Sequence, residues 1–212
     1  MEIADWNERY RSGSRAAEDL HAAPTPLLVE MAKRLAGDTP RAAAQPALRA
    51  LDLACGTGRN ALWLAKHGWD VTAVDAAPSA VTILRERAAH SGLAAGVATG
   101  LSLEARVADL ARGEFQILPA AWDLIAICYY LQRSLFEPAK QGVVPGGILI
   151  SIVHITEPHA KLEEESHPHR LRPGELETYF QGWEIIHRYE GKPHDAAHQR
   201  AVAEIVARRP NA

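Results

Sequence analysis

The chain reads as an α/β fold: a seven-stranded, mostly parallel sheet with helices on both faces and an antiparallel strand pair at the C-terminal end. Three observations predict it. Short β-branched apolar runs alternate with stretches of helical periodicity, the pattern of strands joined by crossover helices. A glycine-rich turn stops the first strand where the next helix opens. Two strands, residues 122–129 and 148–153, are apolar along most of their length, as strands buried on both faces are.

The elements follow in order. Residues 1–25 are polar, with Trp6 and Tyr10 at helical spacing. Residues 24–37 read as a helix with Leu27, Leu28, Met31, Ala32 and Leu35 on one stripe, Thr25 as its cap and Gly37 as its end. A Pro/Ala linker, 39–46, leads to a strand at 48–54. A helix at 60–67 ends at Gly68, a strand spans 70–75, and a helix spans 78–90 with Pro78 in its first turn. A weaker strand at 103–108 precedes the apolar strand 122–129 and a helix at 135–141. Pro145-Gly146-Gly147 reads as a sharp turn before strand 148–153. Residues 156–173, with three prolines, read as a loop, followed by a short helix at 175–180. Strands at 183–189 and 201–207, joined by a polar turn, close the chain.

At 212 residues the expectation is one domain, 1–212, with an N-terminal helical cap over 1–46 and a binding core over 47–209. The composition is 47% hydrophobic and 23% charged, enough for a core without disulfides or a structural metal. A net charge of −3 and a pI near 6.4 argue against a nucleic-acid partner and a polybasic membrane anchor. Apolar runs such as 147–153 are too short to span a bilayer, and residues 1–6 show no signal-peptide pattern. With only Cys55 and Cys128, the expected setting is the reducing cytoplasm. Nothing in the sequence defines an oligomeric state.

The stretch Asp52-Leu53-Ala54-Cys55-Gly56-Thr57-Gly58-Arg59-Asn60-Ala61 carries the main functional signal. Glycines at a strand end admit a ligand close to the backbone, and the following helix start offers unpaired N–H groups. Asp75 ends the second strand, 23 residues after Asp52, where a carboxylate accepts bonds from both hydroxyls of a ribose. Asp109, after the third strand, is placed to accept a bond from an adenine amino group, with Leu110 beside it. Gly56-x-Gly58-x-x-Ala61 also fits the dinucleotide fingerprint, so an NAD(P)-dependent oxidoreductase stays open. Against it stand the lack of a separate substrate domain and of a Tyr-x-x-x-Lys pair. A bland reading of each residue is also open: a tight turn for the glycines, and turn or capping roles for Asp75 and Asp109.

Taken together, Asp52, Gly56–Gly58, Asp75, Asp109 and Pro145–Gly147 resemble, in order and spacing, the class I S-adenosylmethionine (SAM) methyltransferases of Rossmann-like fold. Ala54 replaces the glycine often found first in that motif, and the closing strand pair is similar to the reversed hairpin of that fold. The chain looks closest to the tellurite-resistance (TehB-like) branch, through residues 51–65, 68–75, 174–184 and 207–209. That branch carries a His-Arg pair near the last turn, whereas here His194 is followed by Asp195. The resemblance implies SAM as cofactor and a small-molecule acceptor, either a chalcogen oxyanion such as tellurite or selenite or a thiol-like compound. It implies a cofactor site of Asp52, Ala54, Cys55, Gly56, Thr57, Gly58, Arg59, Asn60, Asp75, Ala76, Asp109, Leu110 and Cys128. Trp6 and Tyr10, with Arg15, are placed over it as an N-terminal lid.

Tyr129 and Arg133 after the fourth strand and His154 after the fifth are the candidate catalytic residues, with Tyr130 beside them. Core-aromatic and strand-end readings stand next to these roles. Seven of the ten histidines follow residue 150, but none has a zinc-site spacing, so no metal is expected. Cys55 and Cys128 read as small core residues with no histidine partner in sequence. A SAM-binding protein without turnover is the non-enzymatic alternative.

Overall fold

The computed structural model describes residues 3–13, 22–37, 46–93, 102–156 and 169–211. Arg15, His159, His167, most of the 39–46 linker and most of the 156–173 loop lie outside the described residues. The strands belong to a mixed, mostly parallel seven-stranded sheet, as the sequence predicts. The chain divides into two compact units, Met1–Gln116 and Ile117–Ala212.

The first unit holds α1 (Ile3–Arg11), α2 (Pro26–Ala36), β1 (Arg49–Leu53), α3 (Arg59–Lys66), β2 (Asp70–Asp75), α4 (Pro78–His90) and β3 (Leu103–Val107). Its strands lie in the order β3-β2-β1, all parallel. α3 packs against β1 and β2, and α4 against β2 and β3. Ala50, Leu51 and Leu53 on β1 and Ala73 and Val74 on β2 are fully enclosed. β3 is an edge strand, with Glu104, Arg106 and Val107 exposed, which is why its apolar signal is weak.

The helix starts use tertiary partners. Thr25 precedes α2 but makes no side-chain cap, correcting the sequence expectation; its hydroxyl instead accepts a bond from Arg59 at 3.2 Å. Ala77, at the cap position of α4, has no side chain able to cap. The Ser79 N–H donates instead to Asn7 Oδ1 of α1 at 2.8 Å. Trp6 and Tyr10 complete this junction by packing on Ala77 and Ala80.

The second unit holds β4 (Trp122–Cys128), a 3-10 turn (Arg133–Leu135), α5 (Phe136–Gly142), β5 (Val143–His154), α6 (Glu175–Thr178), β6 (Glu184–Gly191) and β7 (Val202–Arg208). Its strands lie in the order β4-β5-β7-β6, with β4 parallel to β5 and the last two antiparallel. Leu124–Ile127 of β4 and 148–153 of β5 are buried, matching the two continuous apolar runs.

Pro145-Gly146-Gly147 is not a turn ahead of β5, as the sequence predicts, but an irregularity within it. The partner of β5 jumps from Trp122 at Val143 to Leu124 at Ile148. Gly146 takes φ +79°, and a Cβ on Gly147 would meet the Asp123 carbonyl oxygen at 2.8 Å. The strands therefore approach too closely there for a side chain, and only glycine continues the ladder through the bulge. Gly147→Ala is expected to destabilise the chain by about 1–3 kcal/mol, the range of an overpacked core site, read as a lower urea midpoint.

Candidate functional site

In the first unit the carboxyl ends of three parallel strands each carry a carboxylate: Asp52 near the end of β1, Asp75 ending β2, and Asp109 just past β3. Between them runs the turn from Ala54 to Gly58. Asp75 organises it. One carboxylate oxygen accepts the Gly56 N–H and the other accepts the Ala77 N–H, both at 2.8 Å. A carboxylate has about four lone-pair sites, so these two bonds do not by themselves exhaust its capacity to accept.

The turn itself needs positive φ at Ala54 (57°), Gly56 (55°) and Gly58 (81°). At Ala54 this conformation brings Cβ against the backbone, which explains why a glycine is the easier residue there. Gly58 is constrained differently: a Cβ would meet Leu84 Cδ1 of α4 at 2.1 Å. Its lack of a side chain serves the approach of two elements of the protein, a role the sequence reading had given to ligand approach. Arg87 of α4 closes the turn from the same side, donating to the carbonyl and the hydroxyl of buried Thr57 at 2.8 and 3.1 Å.

Asp52 is 2% exposed, and its Oδ2 has no hydrogen-bond partner among the described residues. Burial raises its pKa to about 7, and nearby Asp75 adds to the rise; the Ala61 N–H and Arg59 act in the opposite direction. Burial also pushes the Cys55 thiol well above its ordinary value, with Asp75 and Asp52 reinforcing it. Cys55 is therefore a neutral thiol, its Sγ donating to the Gly56 carbonyl at 3.6 Å, and not a nucleophile.

Two of the sequence-selected residues spend their side chains elsewhere. Arg59 donates to the Ala23 carbonyl and the Thr25 hydroxyl, and Asn60 accepts the Thr25 N–H at 2.9 Å. They tether the start of α2, leaving their backbone to the helix N-terminus. Asp109 opens a turn: its Oδ1 accepts the Ala111 N–H at 2.8 Å, and Leu110 is buried behind it. Ala76 lies between the two anchored residues Asp75 and Ala77. Trp6 and Tyr10 sit on Ala77 and Ala80, beside the end of β2, with rings 6.2 Å apart.

The second unit gathers a different cluster at the carboxyl ends of β4 and β5. Cys128 ends β4 and is half-buried. Tyr129, the next residue, takes φ 61°, a strained conformation for a bulky side chain. Its hydroxyl donates to Asp195 at 3.1 Å, and its ring stacks on His198 at 3.4 Å and 7°. The His154 ring lies 5.7 Å from Tyr129 and 5.8 Å from His198. Burial lowers the His154 pKa; the positive charges of Arg200 and Arg170 lower it further, while the backbone carbonyls of Ala201 and Arg200 raise it.

Arg133 does not join this cluster. Its guanidinium grips Glu175 through two bonds, at 2.6 and 3.2 Å, and reaches the Arg170 carbonyl at 3.2 Å. It is a strut between the segment after β4 and the start of α6. Tyr130 bonds Gln132 at 2.7 Å. Asp195 and His198 were missed as site residues in the sequence, because both lie more than sixty residues from Tyr129 and share no spacing motif with it. Among the described residues no group of three or more His, Cys, Asp or Glu side chains is arranged to hold a metal ion, and no helix is long and apolar enough to cross a membrane.

Residues 50–147 match a family described as a methyltransferase domain. A ribosomal RNA small subunit methyltransferase C from Alcanivorax borkumensis is 28% identical over 124 residues, covering 57% of this chain and 37% of that protein. The chain thus spans little more than a third of the length of that curated relative. TehB from Haemophilus influenzae has a similar structure, with a TM-score of 0.64 at 23% identity, over 86% of this chain and 61% of that one. A SAM-dependent methyltransferase from Methanosarcina mazei gives 0.62 at 18%, over 79% and 95%. These two structural likenesses are likenesses of fold.

Two outcomes follow from the turn. Ala54→Gly is expected to raise stability by about 1 kcal/mol by relieving the left-handed strain, read from urea unfolding. Asp52 holds a proton in the folded chain up to about pH 7 that the unfolded chain releases near its ordinary value of 3.8. Its contribution is therefore full below about pH 4 and is lost as pH rises toward 7. At about 1.4 kcal/mol per pH unit the loss approaches 4 kcal/mol. Unfolding midpoints measured from pH 5 to 8 should fall in the native chain and fall less in Asp52→Asn.

Proposed function

We propose that this chain, whose residues 50–147 are a methyltransferase domain of class I fold, transfers a methyl group from SAM to a small-molecule acceptor. The observation that carries the reading is the set of carboxylates at the ends of three neighbouring strands, one of them with a buried, unpartnered oxygen. SAM carries a sulfonium and an ammonium, and a cation beside Asp52 favours the ionised form that burial disfavours. A dinucleotide would instead bring a dianionic pyrophosphate to the glycine turn beside Asp52, where burial and negative charge disfavour it. The residues present therefore fit SAM better than NAD.

In this assignment the Asp75 carboxylate, at the end of β2, accepts from the ribose hydroxyls. Asp109 and Leu110 receive the adenine, Asp52 faces the amino-acid end, and the backbone of 54–58 lines the path between them. Trp6 and Tyr10, docked at the start of α4, cover the adenosine end. When bound, SAM supplies a methyl group on a positively charged sulfur that is already a good leaving group. What remains for the chain is to orient the reactants and keep water out.

The acceptor side is assigned to Tyr129 and His154, with Arg133 holding the backbone around them. A small molecule suits the ring-lined cluster and the net charge of −3. A thiol-like compound or a chalcogen oxyanion is the proposed acceptor class. The ribosomal RNA methyltransferase among the relatives makes ribosomal RNA the comparison to run beside them.

Calorimetric titration with SAM, S-adenosylhomocysteine, NAD and NADP tests the cofactor. SAM and its product are expected to bind, and both nicotinamide cofactors to fail. Asp75→Ala and Asp75→Asn should weaken SAM by roughly 10–100-fold, as loss of one or two charge-assisted hydrogen bonds does. NAD binding without SAM binding would overturn the assignment.

A further inference from the structure

We propose that a cavity of the first unit, between α3, α4 and residues 22–24, is a binding site for a small phosphate monoester that carries a planar ring. The site lies outside the cofactor assignment and does not depend on it.

The cavity has a volume of about 390 Å3, within the range of small-molecule sites. Helical spacing builds one wall. Arg59, Trp63 and Lys66 follow one another on α3 at steps of four and three residues, so they share a face, while Ala61, Leu64 and Ala65 turn into the core. Arg87 and His90, three apart on α4, form the other wall. Three positive side chains and an imidazole thus meet at one cavity, and none of the described residues lining it is Asp or Glu.

Lys66, Arg87 and His90 lie in the last turns of their helices, where cations complement the dipole. That does not account for Arg59, which opens α3 at the end where the dipole disfavours a cation, nor for the half-buried indole of Trp63 among the charges.

Most of the wall is held in place. Arg87 is fixed by its bonds to Thr57, and Arg59 by its bonds to the Ala23 carbonyl and the Thr25 hydroxyl. The Trp63 ring stacks on His67 at 3.9 Å and 21°. His90 donates from Nδ1 to the Glu86 carbonyl at 2.7 Å, which leaves Nε2 to meet a ligand. Lys66 differs: it is exposed, and its ammonium has no hydrogen bond or ion pair among the described residues. Fixed guanidiniums lose little freedom when an anion arrives, and Lys66 brings a cation that still lacks a counter-charge.

Charge and length define the ligand. A phosphate monoester carries close to two negative charges near neutral pH, so it suits three cations better than a carboxylate or a phosphodiester does. Arg59 and Lys66 are two turns apart, about 10 Å along α3, farther than inorganic phosphate spans. Trp63 stands between them, where a planar ring packs against the indole.

The test titrates the full chain by calorimetry, in phosphate-free buffer, with phenyl phosphate as probe. Inorganic phosphate and methyl phenyl phosphate, a monoanion with the same ring, are the comparisons. Phenyl phosphate should bind most tightly of the three. Lys66→Gln should weaken it about 5-fold or more. Lys192→Gln, the same change of charge at an exposed lysine of the second unit, should leave it unchanged. Trp63→Leu should erase the preference for phenyl phosphate over inorganic phosphate. Phenyl phosphate that binds no better than both comparisons overturns the inference. Equal weakening by Lys66→Gln and Lys192→Gln overturns it too, since net charge alone would then attract the probe. A preference that survives Trp63→Leu removes the ring from the site and overturns the ligand class. Displacement of the probe by S-adenosylhomocysteine would place it in the cofactor site and overturns the inference. So does Lys66-dependent binding of a single-stranded RNA oligonucleotide that phenyl phosphate fails to displace.

Discussion

The Asp75 carboxylate accepts two backbone N–H groups, Gly56 from the turn after β1 and Ala77 from the start of α4, each at 2.8 Å. Much of the first unit depends on that pair of bonds. They hold a turn with three positive-φ residues in one conformation, and they fix the turn relative to the helix whose Leu84 occupies the space beside Gly58. Charge-assisted bonds from a half-buried carboxylate are among the stronger ones available to a loop. The turn therefore keeps its shape through the protein's own bonds, and its half-buried backbone is already arranged when a ligand arrives.

Asp52 shows the opposite design. Its buried oxygen lacks a partner among the described residues, and burial, reinforced by Asp75, raises its pKa to about 7. A buried polar group with an unmet bond is a place where a protein can retain a destabilising feature for function. Here the missing partner has a sign: it is a cation or a hydrogen-bond donor. In the proposed reading that partner is the cationic cofactor, an argument independent of the glycine motif. In the second unit, Tyr129 holds a left-handed backbone only because the hydrogen bond to Asp195 and the stack on His198 over-determine it.

Fold order was legible in the chain because it depends on local patterns. The runs at 70–75 and 78–90 coincide with β2 and α4, and the closing strands form the expected antiparallel pair. Reading failed where a distant residue decides a local outcome. Thr25 has the chemistry of a cap, but Arg59 takes its hydroxyl. Pro145-Gly146-Gly147 has the composition of a turn, yet the neighbouring strand and the Asp123 carbonyl draw it into β5 as a bulge. Arg133 was a candidate catalytic residue beside Tyr129, yet its guanidinium is bonded to Glu175, forty-two residues away.

The sequence by itself determined the parallel sheet, the glycine turn, the acidic strand ends and the order in which they come, since periodicity, glycine and charge are properties of short stretches. Tertiary structure alone decided what each group is free to do. It turned Gly58 toward Leu84 and Arg59 toward residues 23–25, and it left Asp52 Oδ2 without a hydrogen-bond partner among the described residues. It also brought Asp195 and His198 across more than sixty residues onto Tyr129. Burial, hydrogen-bond partnership and ring stacking are relations between residues remote in the chain, and no local pattern encodes them.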